Sequence, residues 1–299
     1  MCPTVLRVRS GILNVHKPSG KTSFAVVRAV RGATGVEPAG HGGTLDPAAD
    51  GVLPILLGRA TRVADFIHEW PKTYVATLQF GATSDTYDGE GMIAQSTGPL
   101  PERSAIEAAL PAFTGRIPQV PPAFSALKQG GEPLYQKARR GESVAIAPRE
   151  VEIHQLRLEA YAPASGVCRL EVICGAGTYV RSLAHDLGAR LGCGAYLRAL
   201  TRTAVGPLHL ADAVRLEALV GAGDGWERWL LPMDLPLRGW PALVLDADRA
   251  LAVSHGRAIP APEATGTGRH RLLDQTGRLL AWGTVDPGGT LQPRAVFPP

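Results

Sequence analysis

One stretch of this chain constrains the rest: Gly40-His41-Gly42-Gly43-Thr44-Leu45-Asp46-Pro47, followed by Ala48-Ala49-Asp50-Gly51. Its glycines let the backbone enter φ > 0 and come close to a ligand. Pro47 fixes the backbone after Asp46 and biases Asp46 itself to an extended conformation. The apolar run Val52-Leu53-Pro54-Ile55-Leu56-Leu57 comes next and predicts an anchor in the core. A short polar loop on a rigid base, presenting one carboxylate, is a common place for chemistry. The same residues also fit a plain Asx turn in which Asp46 caps the next element.

Further motifs follow in order. They are Lys17-Pro18-Ser19-Gly20, Gly58-Arg59-Ala60-Thr61-Arg62, Lys72-Thr73-Tyr74 and Pro121-Pro122-Ala123-Phe124-Ser125-Ala126-Leu127-Lys128. Gly177-Thr178-Tyr179-Val180-Arg181-Ser182-Leu183 and Leu197-Arg198-Ala199-Leu200-Thr201-Arg202 complete the set. With the glycine loop, they resemble the TruB family of tRNA pseudouridine-55 synthases from about Gly11 to at least Pro236. The resemblance implies an α+β pseudouridine-synthase fold with a mixed, largely antiparallel sheet and an RNA cleft across its middle. It also implies an isomerase that uses no cofactor and no metal. Asp46 is then the nucleophile, Arg181 its ion-pair partner and Tyr74 the group against the uracil. His41, Gly42, Thr44, Lys17, Leu200, Phe124, Lys128 and Tyr179 are the expected substrate contacts. For Lys17 a structural place beside the catalytic loop is the favoured role. One departure stands out: the family usually has Tyr where this chain has Phe124, which keeps the ring and loses the hydroxyl.

Composition sets the class. The chain has 299 residues, 45% hydrophobic and 19% charged, enough for one large or two smaller globular domains. Of its 31 basic residues only five are Lys, leaving 26 Arg, and the net charge is +4. Arg favours bidentate phosphate contacts and stacks on bases, which leans toward nucleic acid, although genomic composition produces the same bias. Cys2, Cys168, Cys174 and Cys193 lack CxxC spacing, against a zinc site or a disulfide framework. No apolar stretch approaches membrane-spanning length, and the N-terminus lacks a signal-peptide core, so a soluble cytoplasmic protein is the expectation.

Periodicity places the elements. Gly11 to Val15 reads as a buried strand, and Thr22 or Ser23 as the cap of a helix with Phe24, Val27 and Val30 inward. Residues 51–69 read as a helix. Thr73 to Phe80 alternates as a half-buried strand, where Tyr74 by itself reads as a core tyrosine. Gly81 to Gly91, with Asp85, Asp88 and Glu90, reads as a solvated loop. Residues 101–114 read as a helix, and 151–161 as a strand whose change of parity suggests a bulge. A strand spans 167–174. The helix after Gly175-Ala176-Gly177-Thr178 buries Val180, Leu183, Leu187 and Leu191, and ends at Gly188 and Gly192-Cys193-Gly194. Arg181 in its first turn opposes the macrodipole and calls for a compensating carboxylate. Ala195 to Val205 is a strand, 208–220 a helix and 221–238 a linker.

Residues 116–149 hold six basic and two acidic residues, prolines, Gly130-Gly131, Phe124 and Tyr135. That mixture suits an RNA-gripping insertion, with cations for phosphate and rings for stacking; an ordinary solvated insertion is the alternative. The expected division is a catalytic domain over 1–236 and a small all-β, PUA-like RNA-binding module over 240–299. The activity implied is isomerisation of uridine 55 in the T arm of tRNA after base flipping, by a monomer needing no protein partner. An RNA-folding chaperone, a role family members also fill, is the second reading. A synthase acting on other RNAs within a guide complex is the closest competitor; a glycoside hydrolase requires paired carboxylates around the site, and Asp50 is the only nearby candidate.

Overall fold

The computed structural model describes residues 10–125, 127–140, 142 and 145–297; for Lys128, Gln129, Pro133, Tyr135 and Arg139 it describes the backbone alone. The element that explains the rest is the strand made by the apolar run. Strands β1 (Gly11–Lys17), β2 (Ala39–His41), β3 (Asp50–Leu57) and β4 (Lys72–Phe80) belong to one 11-stranded sheet. Along β3, Val52 and Leu56 face one hydrophobic cluster, and Leu53, Ile55 and Leu57 face another. A strand covered on both faces must be apolar throughout. The helix expected over 51–69 is therefore a correction: its first half is this strand, and helix begins only with a 3-10 turn at Gly58–Val63, followed by α2, Ala64–Glu69.

The sheet runs Val214–Arg215, β1, β3, Ala195–Val205, β4, Val167–Cys174, Arg149–Ala162, Gly115–Gln119. Pairing is antiparallel except where β1 meets Val214–Arg215 and where β3 meets Ala195–Val205. This is the expected mixed, largely antiparallel α+β sheet. The parity change in 149–162 is a register shift between Ile153 and Gln155. The parallel seam is brief: Asp50 faces Thr201 and Gly51 faces Arg202. Gly51 is required there. Its φ is +114°, and a Cβ would stand 2.2 Å from the Arg202 carbonyl oxygen.

Helices cover both faces. Thr22 caps α1 (Ser23–Thr34) by accepting from the Ala25 N–H. Its buried stripe is Ser23, Val26, Val27 and Val30, so Phe24, expected inward, is 70% exposed. Next come α3 (Arg103–Ala109), α4 (Leu134–Arg139) and α5 (Val180–Arg190). The α5 stripe Val180, Leu183 and Leu187 packs on β4 and the strands 167–174 and 195–205. Gly188 does not end α5; it lies within it because a Cβ would meet the Ala195 nitrogen at 2.1 Å.

Two further expectations change. Residues 208–220 are not one helix: Leu208–His209 and Val214–Arg215 join the sheet, and only α6, Leu216–Val220, is helical. Segment 221–238 is packed rather than a free linker, since Trp226 is buried against α1 and α6 residues. The C-terminal part forms a separate five-stranded sheet. This is the expected small β module, to which one short helix, α7, Ala247–Ser254, is added. Its Trp282, with Trp240, packs edge-on against Phe66 of α2.

Gly188→Ala reverses the usual sign of a helix substitution. Ala normally gains about 1 kcal/mol over Gly; here the methyl overpacks the contact with Ala195 and costs about 1–3 kcal/mol. Denaturant unfolding measures it, and an equal or higher stability for the variant contradicts this packing.

Candidate active site

The glycine loop spans residues 42–49, between β2 and β3, and nearly every carbonyl in it is held. Arg202, 1% exposed, donates from Nη2 to Gly43 O (3.1 Å), from Nη1 to Thr44 O (3.1 Å) and from Nε to Val52 O (2.7 Å). Lys17, fully buried, donates from Nζ to the carbonyls of Pro47 (3.1 Å), Pro18 (3.0 Å) and Lys21 (2.7 Å). Ser23 Oγ donates to Leu45 O and accepts from Leu45 N–H, both at 2.9 Å. Ser19 Oγ donates to Ala48 O at 2.8 Å. Burial pulls the Lys17 pKa down to about 8, against the opposing pull of Asp50 and Asp46. Three carbonyl acceptors are what the charged form needs.

Several predicted contacts therefore become scaffold. Lys17 is buried beneath the loop, in the structural place favoured for it, with its Nζ on three backbone carbonyls. Gly42 has a packing role as well. It is buried, and a Cβ there would stand 2.6 Å from Ile67 Cγ2, so the glycine permits packing on α2. Thr44 has an exposed side chain, and its carbonyl faces Arg202. His41 ends β2, where its Nδ1 accepts from the Gly43 N–H at 3.3 Å. The side chain of Lys128 lies outside the described residues.

Asp46 meets Arg181 above this base. Arg181 Nε stands 2.9 Å from Asp46 Oδ2, and Arg181 is 6% exposed while the aspartate side chain is 41% exposed. The approach is off the N–H axis, an ion pair in contact rather than an aligned hydrogen bond. Arg181 Nη1 lies 3.3 Å from Asp88 Oδ2 and donates to Thr86 O at 3.3 Å; Nη2 donates to Phe124 O at 3.1 Å. The cation in the first turn of α5 thus has two compensating carboxylates. Asp88 is the residue that sequence reasoning missed. The sequence puts it in a solvated loop, yet its side chain is only 13% exposed. Nothing in the spacing of Asp85, Asp88 and Glu90 singles it out; the chain brings it to Arg181 by pairing with Leu197.

Leu197 and Leu200 of the strand 195–205 line the cleft beside Asp46, while Tyr74 and Tyr179 stand outside that lining. Tyr74 on β4 faces Arg202, and Ala76 faces Leu200, so the ring and Leu200 are diagonal neighbours on one face. Burial is the main force raising the Tyr74 phenol above its ordinary pKa, with nearby Arg202 pulling the other way. The ring therefore stands neutral at pH 7. Tyr179, at the N-terminus of α5, is clamped by Gln119, which accepts from its N–H (2.8 Å) and donates to its carbonyl (3.1 Å). Burial raises the Tyr179 phenol as well, opposed by its hydrogen bond with Ser125. Asp46, Asp88, Arg181, Leu197, Arg198 and Leu200 line a cleft of 290 Å³. Among the described residues, no group of His, Cys, Asp and Glu has the arrangement to hold a metal ion.

The basic insertion leaves the sheet after Gln119 and rejoins it at Arg149, so its first and last predicted residues are strand. Its two acidic residues, Glu132 and Glu142, both pair with Arg140. Its root is tied to α5 by Ser182 Oγ, which donates to Val120 O at 2.7 Å.

The loop carries a pH signature. Burial, then His68 and Arg202, lower the His41 pKa from 6.5. Above pH 6.5 both folded and unfolded chains hold neutral His41, and no difference arises. As pH falls through 6.5 the unfolded chain protonates first, so the native state loses stability until its own lower pKa is passed. Protonation also removes the Nδ1 acceptor from Gly43. Wild type should lose more unfolding free energy between about pH 7.5 and about pH 5.5 than His41→Asn, whose Oδ1 can still accept. Parallel pH profiles would contradict the neutral-His41 anchor.

Comparison with known proteins places this geometry. Residues 31–180 match the TruB family pseudouridylate synthase N-terminal domain, and residues 181–238 match the tRNA pseudouridylate synthase B C-terminal domain. Residues 241–297 match the C-terminal region of pseudouridine synthase II TruB. The chain is similar to tRNA pseudouridine synthase B of Pseudomonas fluorescens (strain Pf-5), 42% identical over 301 residues and 98% of each chain. It is equally similar, with the same coverage, to the Pseudomonas aeruginosa protein (strain UCBPP-PA14). Among solved structures it resembles a chain of a Cbf5-Nop10-Gar1 complex, with a TM-score of 0.75 and 26% identity over 98% of this chain and 87% of that one. A chain of an archaeal box H/ACA sRNP Nop10-Cbf5 complex gives a TM-score of 0.73 and 26% identity over 98% of this chain and 88% of that one. The chain belongs to the TruB family of pseudouridylate synthases.

Proposed function

We propose that this protein is a tRNA pseudouridine synthase that isomerises uridine 55 of the T arm, with Asp46 as its nucleophile. The single observation that carries the residue assignment is Asp46 itself: a partly exposed carboxylate on a loop held by two buried cations, in contact with a buried arginine. The reaction cuts C1′–N1, turns the base and joins C1′ to C5, with N1 gaining a proton and C5 losing one. A carboxylate suits the covalent step. Arg181 engages Oδ2 and keeps the charge compensated while the substrate approaches. Leu200 supplies an apolar wall for the detached uracil, and Tyr74 is its diagonal neighbour on the sheet. Tyr74 enters as a neutral phenol, so any proton it accepts must be preceded by loss of its own, and Arg202 is the cation beside it.

The cleft is at the small end of ligand sites, suited to one extruded nucleotide rather than a duplex. Extrusion costs a few kcal/mol of unstacking, which contacts elsewhere must offset. We read the insertion, with Phe124 and its cations, and the module over 240–299 as those contacts, and residues 1–236 as the catalytic domain. No helix among the described residues is long and apolar enough to cross a membrane. We read the protein as a cytoplasmic monomer acting on tRNA without a protein partner, as the built-in insertion suggests.

The test is tritium release from [5-³H]-uridine in an unmodified tRNA transcript. Wild type should release tritium from one T-loop uridine and Asp46→Asn should release none. Release by Asp46→Asn at the wild-type rate overturns the nucleophile. No release by either protein, with tight tRNA binding by both, favours the chaperone reading.

A further inference from the structure

Tyr87 is accounted for neither by the fold nor by the chemistry above. It is the one non-glycine residue with positive φ among the described residues, at 65°. A tyrosine gains nothing from that conformation, which glycine or asparagine adopts more easily. Such a backbone persists only where its surroundings over-determine it.

Here the surroundings do so. The Tyr87 N–H donates to Ser84 O at 3.1 Å, and its carbonyl accepts from the Leu197 N–H at 2.9 Å. Its ring lies flat on the His185 imidazole, centroids 3.9 Å apart and planes 14° apart. His185 is one helical turn beyond Arg181 on α5, so the two side chains share a face. They grip consecutive residues of one loop. Arg181 takes the Thr86 carbonyl and the Asp88 carboxylate, and His185 takes the ring between them. The other Asp88 oxygen, Oδ1, accepts from the Thr86 hydroxyl at 2.6 Å and the Glu90 N–H at 3.1 Å. The carboxylate cannot swing to follow a displaced loop without breaking those bonds.

We propose that the Tyr87–His185 stack is a positioning clamp, which presses residues 86–88 onto α5 so that Asp88 meets Arg181 and Arg181 aims at Asp46. Neither residue touches the reacting atoms; both act through Arg181. The clamp rests on the reading of Asp46 as the reacting carboxylate. It explains why a ring stands where the backbone prefers glycine: a glycine would accept the φ and lose the anchor.

Single-turnover rates and tRNA affinities of the full-length protein test it. Tyr87→Gly suits the backbone and removes the ring; His185→Ala removes the other half and leaves the backbone unchanged. Both should slow the single-turnover rate about tenfold or more while the tRNA Kd moves less than about twofold. The double variant should be no slower than the slower single one, because the two share one interaction. Tyr87→Phe and His185→Phe keep a stack and should stay within about twofold of wild type. His185→Ala or Tyr87→Gly at the wild-type rate overturns the clamp, and so does a parallel loss of rate and affinity. Tyr87→Phe as slow as Tyr87→Gly overturns it in favour of a role for the hydroxyl. A wild-type protein that releases no tritium sinks the Asp46 reading instead, so the two failures are distinguishable.

Discussion

Two buried cations hold the loop on which everything else depends. Among the described residues no carboxylate is in contact with Arg202 or Lys17; each instead satisfies three backbone carbonyls in and around residues 42–49. A loop of this length inside a protein leaves polar groups that must be paired. Carbonyl partners from a lysine and an arginine meet that requirement in one step and fix the loop from below. The arrangement is costly to disturb: removing either cation strands several buried acceptors at once.

The second layer is electrostatic. Arg181 begins α5, where the helix dipole disfavours a cation, and is buried among Asp46, Asp88 and two backbone carbonyls. Three separate parts of the chain converge on one guanidinium: the glycine loop, the loop after β4 and the root of the basic insertion. A planar fork with five donors can serve all three at fixed angles, which a lysine cannot. The root of the insertion is thus joined to the Asp46 carboxylate through one guanidinium, by way of Phe124 O.

Much of this was legible in the sequence, and the failures have physical causes. The alternation in β4, the parity change after Ile153 and the stripe of α5 are one-face burial patterns, which periodicity reports directly. The strand β3 misled because burial on both faces erases the alternation. Phe24 misled because an apolar residue need not face inward. The segment 208–220 reads as helix locally but is recruited to sheet edges by tertiary pairing. At the site, Asp46 stood out because its loop chemistry is local. Asp88 and the anchoring role of Arg202 did not, because their partners lie far away in sequence, 93 residues to Arg181 for one and 158 to Thr44 for the other. Long-range ion pairs leave no mark in a single sequence, whereas glycine turns and strand patterns do.

That the loop presenting Asp46 is locked from beneath is tested most directly by amide hydrogen exchange across residues 42–49 of the ligand-free protein. The N–H groups of Gly42 and Leu45 donate to Pro54 O and Ser23 Oγ. They should exchange as slowly as their neighbours in β3, as part of the same cooperative unit. Exchange of both amides at the rate of an unstructured chain, with β3 still protected, would contradict the account.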